Sequence, residues 1–452
     1  MLLFVALAVF APWISPHNPL SGNLEDRLLP PSAKFWLGTD ENGRDIFSRI
    51  LMGARISLAA GFLSVMIGCV IGTALGLLAG YYEGWWDRIV MRISDVLFAF
   101  PGILLALGVV ILSENKPVVL CAVDWCEIRA GDHVHWREVL AQAAGTTPER
   151  VAVQSLHQHN APIGDAESHR LLAGFASPPS VMDLEWAERA LKGVAASLEA
   201  ALKKAEPLTH IAHGEAAVEK VASNRRIMGD DGKVAKMRLS STKDAALQAL
   251  PEGLVDPLLK TISFWNGDKK LAVLHYYATH PMSYYGDGMV TYDFVGTARE
   301  RRTQDDGVPH LYFTGCGGNI AAGKYNDASK EARVRLGENI HAAMLASEQQ
   351  MKRVPLTKIE WRARPVVLKA NPEFPEERML KVCENATAVA STRISAAFRV
   401  GFTRQSAAGV PIQFTSLHLG DDVCLLHLPG ETFIEYQLFA QQQRPGGFVA
   451  TA

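Results

Sequence analysis

The sequence predicts a soluble α/β domain, a layered sheet with flanking helices, preceded by two to three transmembrane helices. Two observations carry that prediction. No charged residue stands between Arg55 and Glu83, and none between Asp95 and Glu114. From Asn115 to Ala452, short β-rich runs alternate with amphipathic helical patterns, the signature of helices layered on a sheet. The 452 residues therefore divide into a membrane-type region, 1–112, and a soluble region, 115–452.

The apolar stretches of the first region run from Met1 to Ile14, Ile56 to Ala79 and Val96 to Leu112. The second is long enough to cross a hydrocarbon core of about 30 Å as a helix. Gly68, Gly72, Gly76 and Gly80 recur along one face of it, which lets a partner helix approach closely. The third carries Pro101 near its start, where a helix tolerates proline best. The first is short for a span. It lacks the basic leader and small-residue cleavage site of a signal peptide, and reads as a membrane helix missing its first part.

In the second region, Pro117 to Asp124, Arg150 to Ser155, Leu271 to Ala278 and His310 to Thr314 read as strands. Ile359 to Leu368, Ile412 to Leu419 and Val423 to His427 read the same way. A helix is expected around His135 to Ala144. Leu184, Ala187, Leu191, Val194, Leu198 and Leu202 mark the apolar stripe of a longer one. A formal net charge of -2 supplies no basic face for nucleic acid. The six cysteines show no CxxC spacing and read as buried thiols rather than a disulfide framework.

Chemistry gathers at strand ends. In SLHQHNAP, His157 and His159 stand two apart, so on an extended strand both would face one way and could share a metal ion. His280 follows a strand in YATHP, and Glu431 follows a Pro-Gly turn in LHLPGE. Two imidazoles and a carboxylate form a plausible zinc set. Asp124, at the end of the first strand, is placed to orient a ligand histidine through its other ring nitrogen. His133 and His135 form a second HxH pair but read as exposed or capping residues at a helix start. Cys316 in TGCGGN reads as a buried thiol. The GCGGN run reads as a tight turn, with an anion-facing set of N–H groups as the alternative.

Two family resemblances follow from these strings. Leu37 to Leu58 and Ala79 to Ala106 resemble the N-terminal region of permease subunits of ATP-binding cassette importers for dipeptides and oligopeptides. The match rests on Gly38, Thr39, Asp40, Gly43, Arg44, Asp45, Gly53, Arg55, Asp95, Phe100 and Pro101. It implies residues 15–55 outside and 81–95 inside, a soluble region beyond the inner or plasma membrane, and an ATPase partner subunit. Basic residues count the other way, with Arg27, Lys34, Arg44, Arg49 and Arg55 against Arg88 and Arg92. The coupling loop and later helices of that family have no counterpart.

From about Pro117 onward the chain resembles the catalytic domain of the neutral/alkaline, non-lysosomal ceramidase family. VVLCAVDWCEI, the HxHxxP element, NRR at Asn224 to Arg226, ATHP, DFVGTARE at Asp293 to Glu300 and LPGE carry the likeness. It implies a zinc-dependent amidohydrolase acting on the N-acyl bond of ceramide-like lipids. His157, His280 and Glu431 would be the zinc ligands, and His159 a catalytic partner for substrate or proton. The family's glycine-aspartate-x-serine-proline stretch appears here as Gly318-Asn319-Ile320-Ala321-Ala322, with alanine at the serine position. The family's tyrosine ligand, which lies beyond the LPGE glutamate, has no matching segment. Three readings follow: a membrane-attached zinc hydrolase, a fragment of an importer permease, or a chimera of two incomplete genes joined near residue 112.

Overall fold

The structure is a computed structural model that describes residues 10–19, 23, 26–40, 43–55, 66, 69, 73, 106–113, 116–284 and 290–452. The chain forms two compact units, Met1–Phe100 and Pro101–Ala452, so the division falls ahead of residue 112. In the first unit, residues 46–55 are helical. Asp45 caps that helix by accepting from the N–H of Ser48 at 2.9 Å, and Thr39 bridges to Asp45. Asp40 holds Arg44 at 2.9 Å and also pairs with Arg49. The GTDENGRD string therefore builds a tight polar turn into a helix.

Among the described residues, no helix is long and apolar enough to cross a membrane. The expected span Ile56 to Ala79 and its glycine stripe lie outside the described residues, apart from 66, 69 and 73. The third expected span is corrected. Residues 96–105 lie outside the described residues, but 106–112 belong to a β-strand. A short apolar run does not distinguish a buried strand from a helix by pattern alone. Here ALGVVILS pairs antiparallel with the next strand, from Ala106↔Val123 to Ser113↔Lys116, and so the backbone groups on that edge are satisfied in a sheet.

The second unit begins with β1 (Ala106–Ser113), β2 (Lys116–Val123), β3 (Glu127–Ile128), α1 (Ala130–Ala144) and β4 (Val151–Ser155). Next come β5 (Ile163–Gly164), α2 (Ala166–Ala173), α3 (Leu184–Leu202), β6 (His210–Ala217) and β7 (Ser223–Asn224). The hairpin β8 (Arg226–Met228) and β9 (Val234–Met237) precedes α4 (Ala245–Ala249), β10 (Leu258–Asn266), β11 (Lys269–Tyr277) and α5 (Asp293–Asp306). Then follow β12 (His310–Thr314), β13 (Ile320–Ala321), α6 (Lys330–Gln349), β14 (Lys352–Pro355) and β15 (Ile359–Val366). The unit closes with α7 (Glu376–Glu384), α8 (Ala390–Ala407), β16 (Ile412–Leu419), β17 (Val423–His427), α9 (Ile434–Gln442) and β18 (Phe448–Thr451).

The larger sheets run β1-β2-β4, β12-β11-β10-β6-β14 and β15-β16-β17-β18. β2 pairs parallel with β4 and is buried along its length from Val118 to Val123, as parallel strands covered on both faces require. Val118, Leu120 and Ala122 enter one core with Leu274, Phe313, Leu336 and Leu425. Val119, Cys121 and Val123 face the opposite way, onto Trp136, Leu140, Leu191 and Leu198 of α1 and α3. The period-3.6 stripe of α3 thus covers one face of the sheet, and Asp183 caps its start by accepting from the N–H of Trp186. A smaller cluster of Leu172, Met379, Cys383, Ala397 and Val400 ties α2, α7 and α8 together. The consequence for function is positional. The segments after β4 and β11 carry the histidines, and the segment after β2 carries the carbonyls that hold His157.

Candidate metal centre

His157 lies beyond the end of β4, not on it. The strand stops at Ser155, and His157 adopts a positive φ of 70°, in the left-handed region. A non-glycine residue held there is an uncommon, costly conformation. Its N–H donates to Trp125 O at 3.0 Å, and its ring Nδ1 faces Cys126 O at 2.9 Å. The extended-strand picture of the HxH pair is therefore corrected: a turn, not alternation, brings the two rings together, with centroids 5.0 Å apart.

His280 follows β11 after a short extension. Its N–H donates to Ile320 O at 2.9 Å, its residue bridges Ala321, and its Nδ1 faces Gly317 O at 2.7 Å. Carbonyl oxygens only accept, so each Nδ1 carries a proton and each Nε2 presents a lone pair. Those two Nε2 atoms stand 3.1 Å apart. With both lone pairs directed at one spot, no hydrogen joins them, and a cation placed there would satisfy both. Glu431 completes the arrangement: its Oε1 is 3.4 Å from His157 Nε2 and its Oε2 is 3.5 Å from His280 Nε2.

Glycines set the approach. Gly430 takes φ 73° in the Pro-Gly turn that swings Glu431 inward. A Cβ on Gly318 would fall 2.3 Å from Glu431 O, so only glycine lets the two loops meet. The GCGGN run is a structural turn: Gly315 donates to Tyr277 O, Cys316 to Gln437 Oε1 and Gly318 to Thr432 O. Cys316 is buried and its thiol is pushed up by burial.

The electrostatics favour neutral rings at His157 and His159 beside an ionised Glu431. Burial lowers His157 against the opposing pull of Glu431, and burial followed by the neighbouring imidazoles lowers His159 to about 4. Contact with the His280 ring, then the other imidazoles, holds the half-exposed Glu431 carboxylate down at about 2 against its partial burial. Metal ligation requires those protonation states. His159 also belongs to the cluster, since ligand atoms of His157, His159 and His280 all lie within 4.8 Å of one another. The donor set fits a zinc ion.

Asp124 takes a different place from the one expected. Both its oxygens are held by Arg299 of α5, at 2.9 and 2.8 Å, and both side chains are buried. Since the guanidinium occupies the carboxylate, backbone carbonyls orient the histidines instead. Nothing in the residue pattern marked Cys126 O or Gly317 O, because any residue supplies a carbonyl. The second HxH pair diverges: His133 reaches Val153 O at 3.2 Å, while exposed His135 pairs with Glu188 at 3.0 Å. The centre opens into a cavity of about 490 Å³, whose apolar side includes Leu368, Phe398, Phe402 and Ile412.

Comparison with known proteins separates the two ends of the chain. No protein-family model matches. Over 125 residues in its N-terminal part, the chain is 62% identical to the glutathione transport system permease protein GsiD of Pectobacterium atrosepticum, covering 27% of this chain and 42% of that protein. The corresponding Escherichia coli permease is 57% identical over 125 residues, 27% of this chain and 41% of that one. The chain thus spans about two fifths of the length of these relatives. A solved structure described as ceramidase complexed with C2 superposes with a TM-score of 0.51 at 15% identity, over 75% of this chain and 60% of that one. Neutral ceramidase from Pseudomonas aeruginosa covers 74% of this chain and 59% of its own, with TM-score 0.48 and 15% identity. One chain joins the two likenesses. Its N-terminal part is similar to a permease, and its α/β unit has the ceramidase fold.

Proposed function

We propose that the α/β unit is a zinc-dependent amidohydrolase that cleaves the N-acyl bond of ceramide-like lipids. The observation that carries this reading is the pair of Nε2 lone pairs 3.1 Å apart, each fixed by a carbonyl behind it, with Glu431 across from them. His157, His280 and Glu431 would hold the ion. When bound, zinc supplies Lewis-acid polarisation of an amide carbonyl and lowers the pKa of water. Cys126 O and Gly317 O keep the ligand rings in one tautomer. His159, beside the cluster, orients the substrate amide and takes up or delivers a proton at its ring nitrogen. The cavity's apolar side shields an acyl or alkyl chain from water.

The test is metal content and turnover in the full chain. Zinc should remain near one ion per chain after dialysis, and His157→Ala or His280→Ala should abolish that retention. Mass spectrometry of N-acyl lipids incubated with the zinc form should show free fatty acid, and His159→Ala should lower the rate about 100-fold or more. Unmutated protein that holds no zinc, or zinc-loaded protein that releases no acid from any lipid, ends the reading.

The permease likeness supports a second role for the N-terminal part, as a fragment that attaches the chain to the inner membrane; the extracytoplasmic side is the place we propose for the α/β unit. It also suggests an ATPase subunit as partner. Membrane fractionation with protease protection tests the first, and co-purification the second.

A further inference from the structure

The loop between β12 and β13 carries the carbonyl that turns His280, and its glycines give that carbonyl little support of their own. In Gly315-Cys316-Gly317-Gly318-Asn319, the peptide between Gly317 and Gly318 is bonded on both sides. Its C=O faces His280 Nδ1 at 2.7 Å, and its N–H donates to Thr432 O at 2.9 Å. One peptide unit therefore joins the His280 ring to the segment that carries Glu431. With glycine at either end, no Cβ opposes rotation of that unit. Turned over, it would present its N–H to Nδ1. His280 would then carry its proton on Nε2, where it blocks a metal ion.

Gly317 O also accepts from Ile320 N–H at 2.9 Å, which closes the turn on the far side of the peptide. On the near side, Cys316 N–H donates to Gln437 Oε1 of α9 at 3.2 Å. That amide cannot be reversed. Asp256 accepts from Gln437 Nε2 at 2.7 Å, and a carboxylate only accepts, so the nitrogen must face it. The oxygen is left for Cys316 and for the Thr451 hydroxyl, which donates to it at 2.7 Å. A bond from an amide to an ionised group polarises the amide and strengthens what its oxygen accepts. Gly315 has a matching reason to be glycine, because a Cβ there would fall 2.8 Å from Gln437 Oε1. Asp256, Cys316, Gln437 and Thr451 are all buried.

We propose that Gln437, seated on Asp256, is a positioning residue of the metal centre. Through Cys316 it keeps the Gly317 carbonyl turned toward His280, and so keeps the His280 lone pair on Nε2. This deepens the amidohydrolase reading and rests on it for the metal, whereas the tautomer belongs to the chain with or without an ion. Gln441 supplies an internal comparison. One turn further along α9, it donates to the same Asp256 oxygen at 2.8 Å, and among the described residues no hydrogen bond joins it to the 315–319 loop.

Zinc affinity of the full chain is read by competition with a chelator. The tautomer is read by NMR of the metal-free chain with isotope-labelled histidine, His280→Gln identifying the signals. Gln437→Met should weaken zinc about tenfold or more and move His280 from the Nδ1–H toward the Nε2–H form. Gln441→Met should do neither, although it takes a donor from the same carboxylate. The exchanged pair, Asp256→Asn with Gln437→Glu, rebuilds the bond with donor and acceptor reversed and should restore both readouts. Should Gln437→Met not fold, Gln437→Asn draws the amide away from Cys316 by one methylene and is read the same way. Unchanged affinity and tautomer in the folded variant, an equal loss in Gln441→Met, or no recovery in the exchanged pair overturns the proposal. A chain whose tautomer responds to Gln437 but which holds no zinc supports the positioning role and loses only the metal reading.

Discussion

At the scale of single residues, the Asp124–Arg299 pair is a buried charge pair one residue away from the backbone that holds His157. Both side chains are 2% exposed or less, and Trp125 and Cys126, the next two residues, supply the carbonyls that hold His157. Removing one partner leaves the other charged and unpaired in the interior. Asp124→Ala should therefore cost about 3–5 kcal/mol in urea unfolding. Zinc affinity should fall about 10–100-fold in protein that remains folded. A variant that loses stability but binds zinc as tightly as before would show that the clamp supports the fold alone. Of the proposed site residues, His157, His159, His280 and Glu431 were legible as strand-end motifs and do lie together. The role of Asp124 was not legible, because its partner sits 175 positions away.

At the scale of elements, α3 and β1 make opposite cases. The stripe of α3 was readable because one face of it meets a sheet, and Ala187, Leu191, Val194, Leu198 and Leu202 share one destination. Leu191, 1% exposed, packs there against the residues of β2 and α1. Leu191→Ala should cost about 2–5 kcal/mol by thermal or denaturant unfolding, with secondary structure otherwise intact. A loss below about 0.5 kcal/mol would mean that the helix is not docked on this face. β1 carries apolar residues without a telling period, so length and flanking sequence favoured a membrane helix. Its partner decided otherwise. The strands β6 and β10, which sit inside the five-stranded sheet, passed unremarked for a related reason. HIAHGEAA alternates polar and small residues weakly, and its strand identity comes from pairing on both edges.

At the scale of the α/β unit, buried neutral histidines link stability to pH. Burial holds His427 near 3, and His133 near 4 through burial and then Arg137; His159 also sits near 4. An unfolded histidine protonates around 6.5. Between that value and about 4 the unfolded chain binds more protons than the native one, so stability rises with pH across the window. The contribution is complete above 6.5 and is lost as pH falls through the folded values. With metal chelated, the melting temperature should drop steadily from pH 7 to pH 4. A flat profile over that range would mean that these rings are already protonated or already solvated in the fold.

Read alone, the amino-acid order settled the division of the chain into an apolar and a mixed part, the α/β character of the second, and the residue types that gather at its strand ends. Those are local properties, set by period, charge and turn chemistry within a few residues. Whether Ala106–Ser113 is helix or strand, and which group turns each imidazole, was decided by pairing across the fold. So was the convergence of 157, 280 and 431 on one point. Hydrogen-bond complementarity between distant segments fixes such features, and no window along the chain contains both halves of the bond.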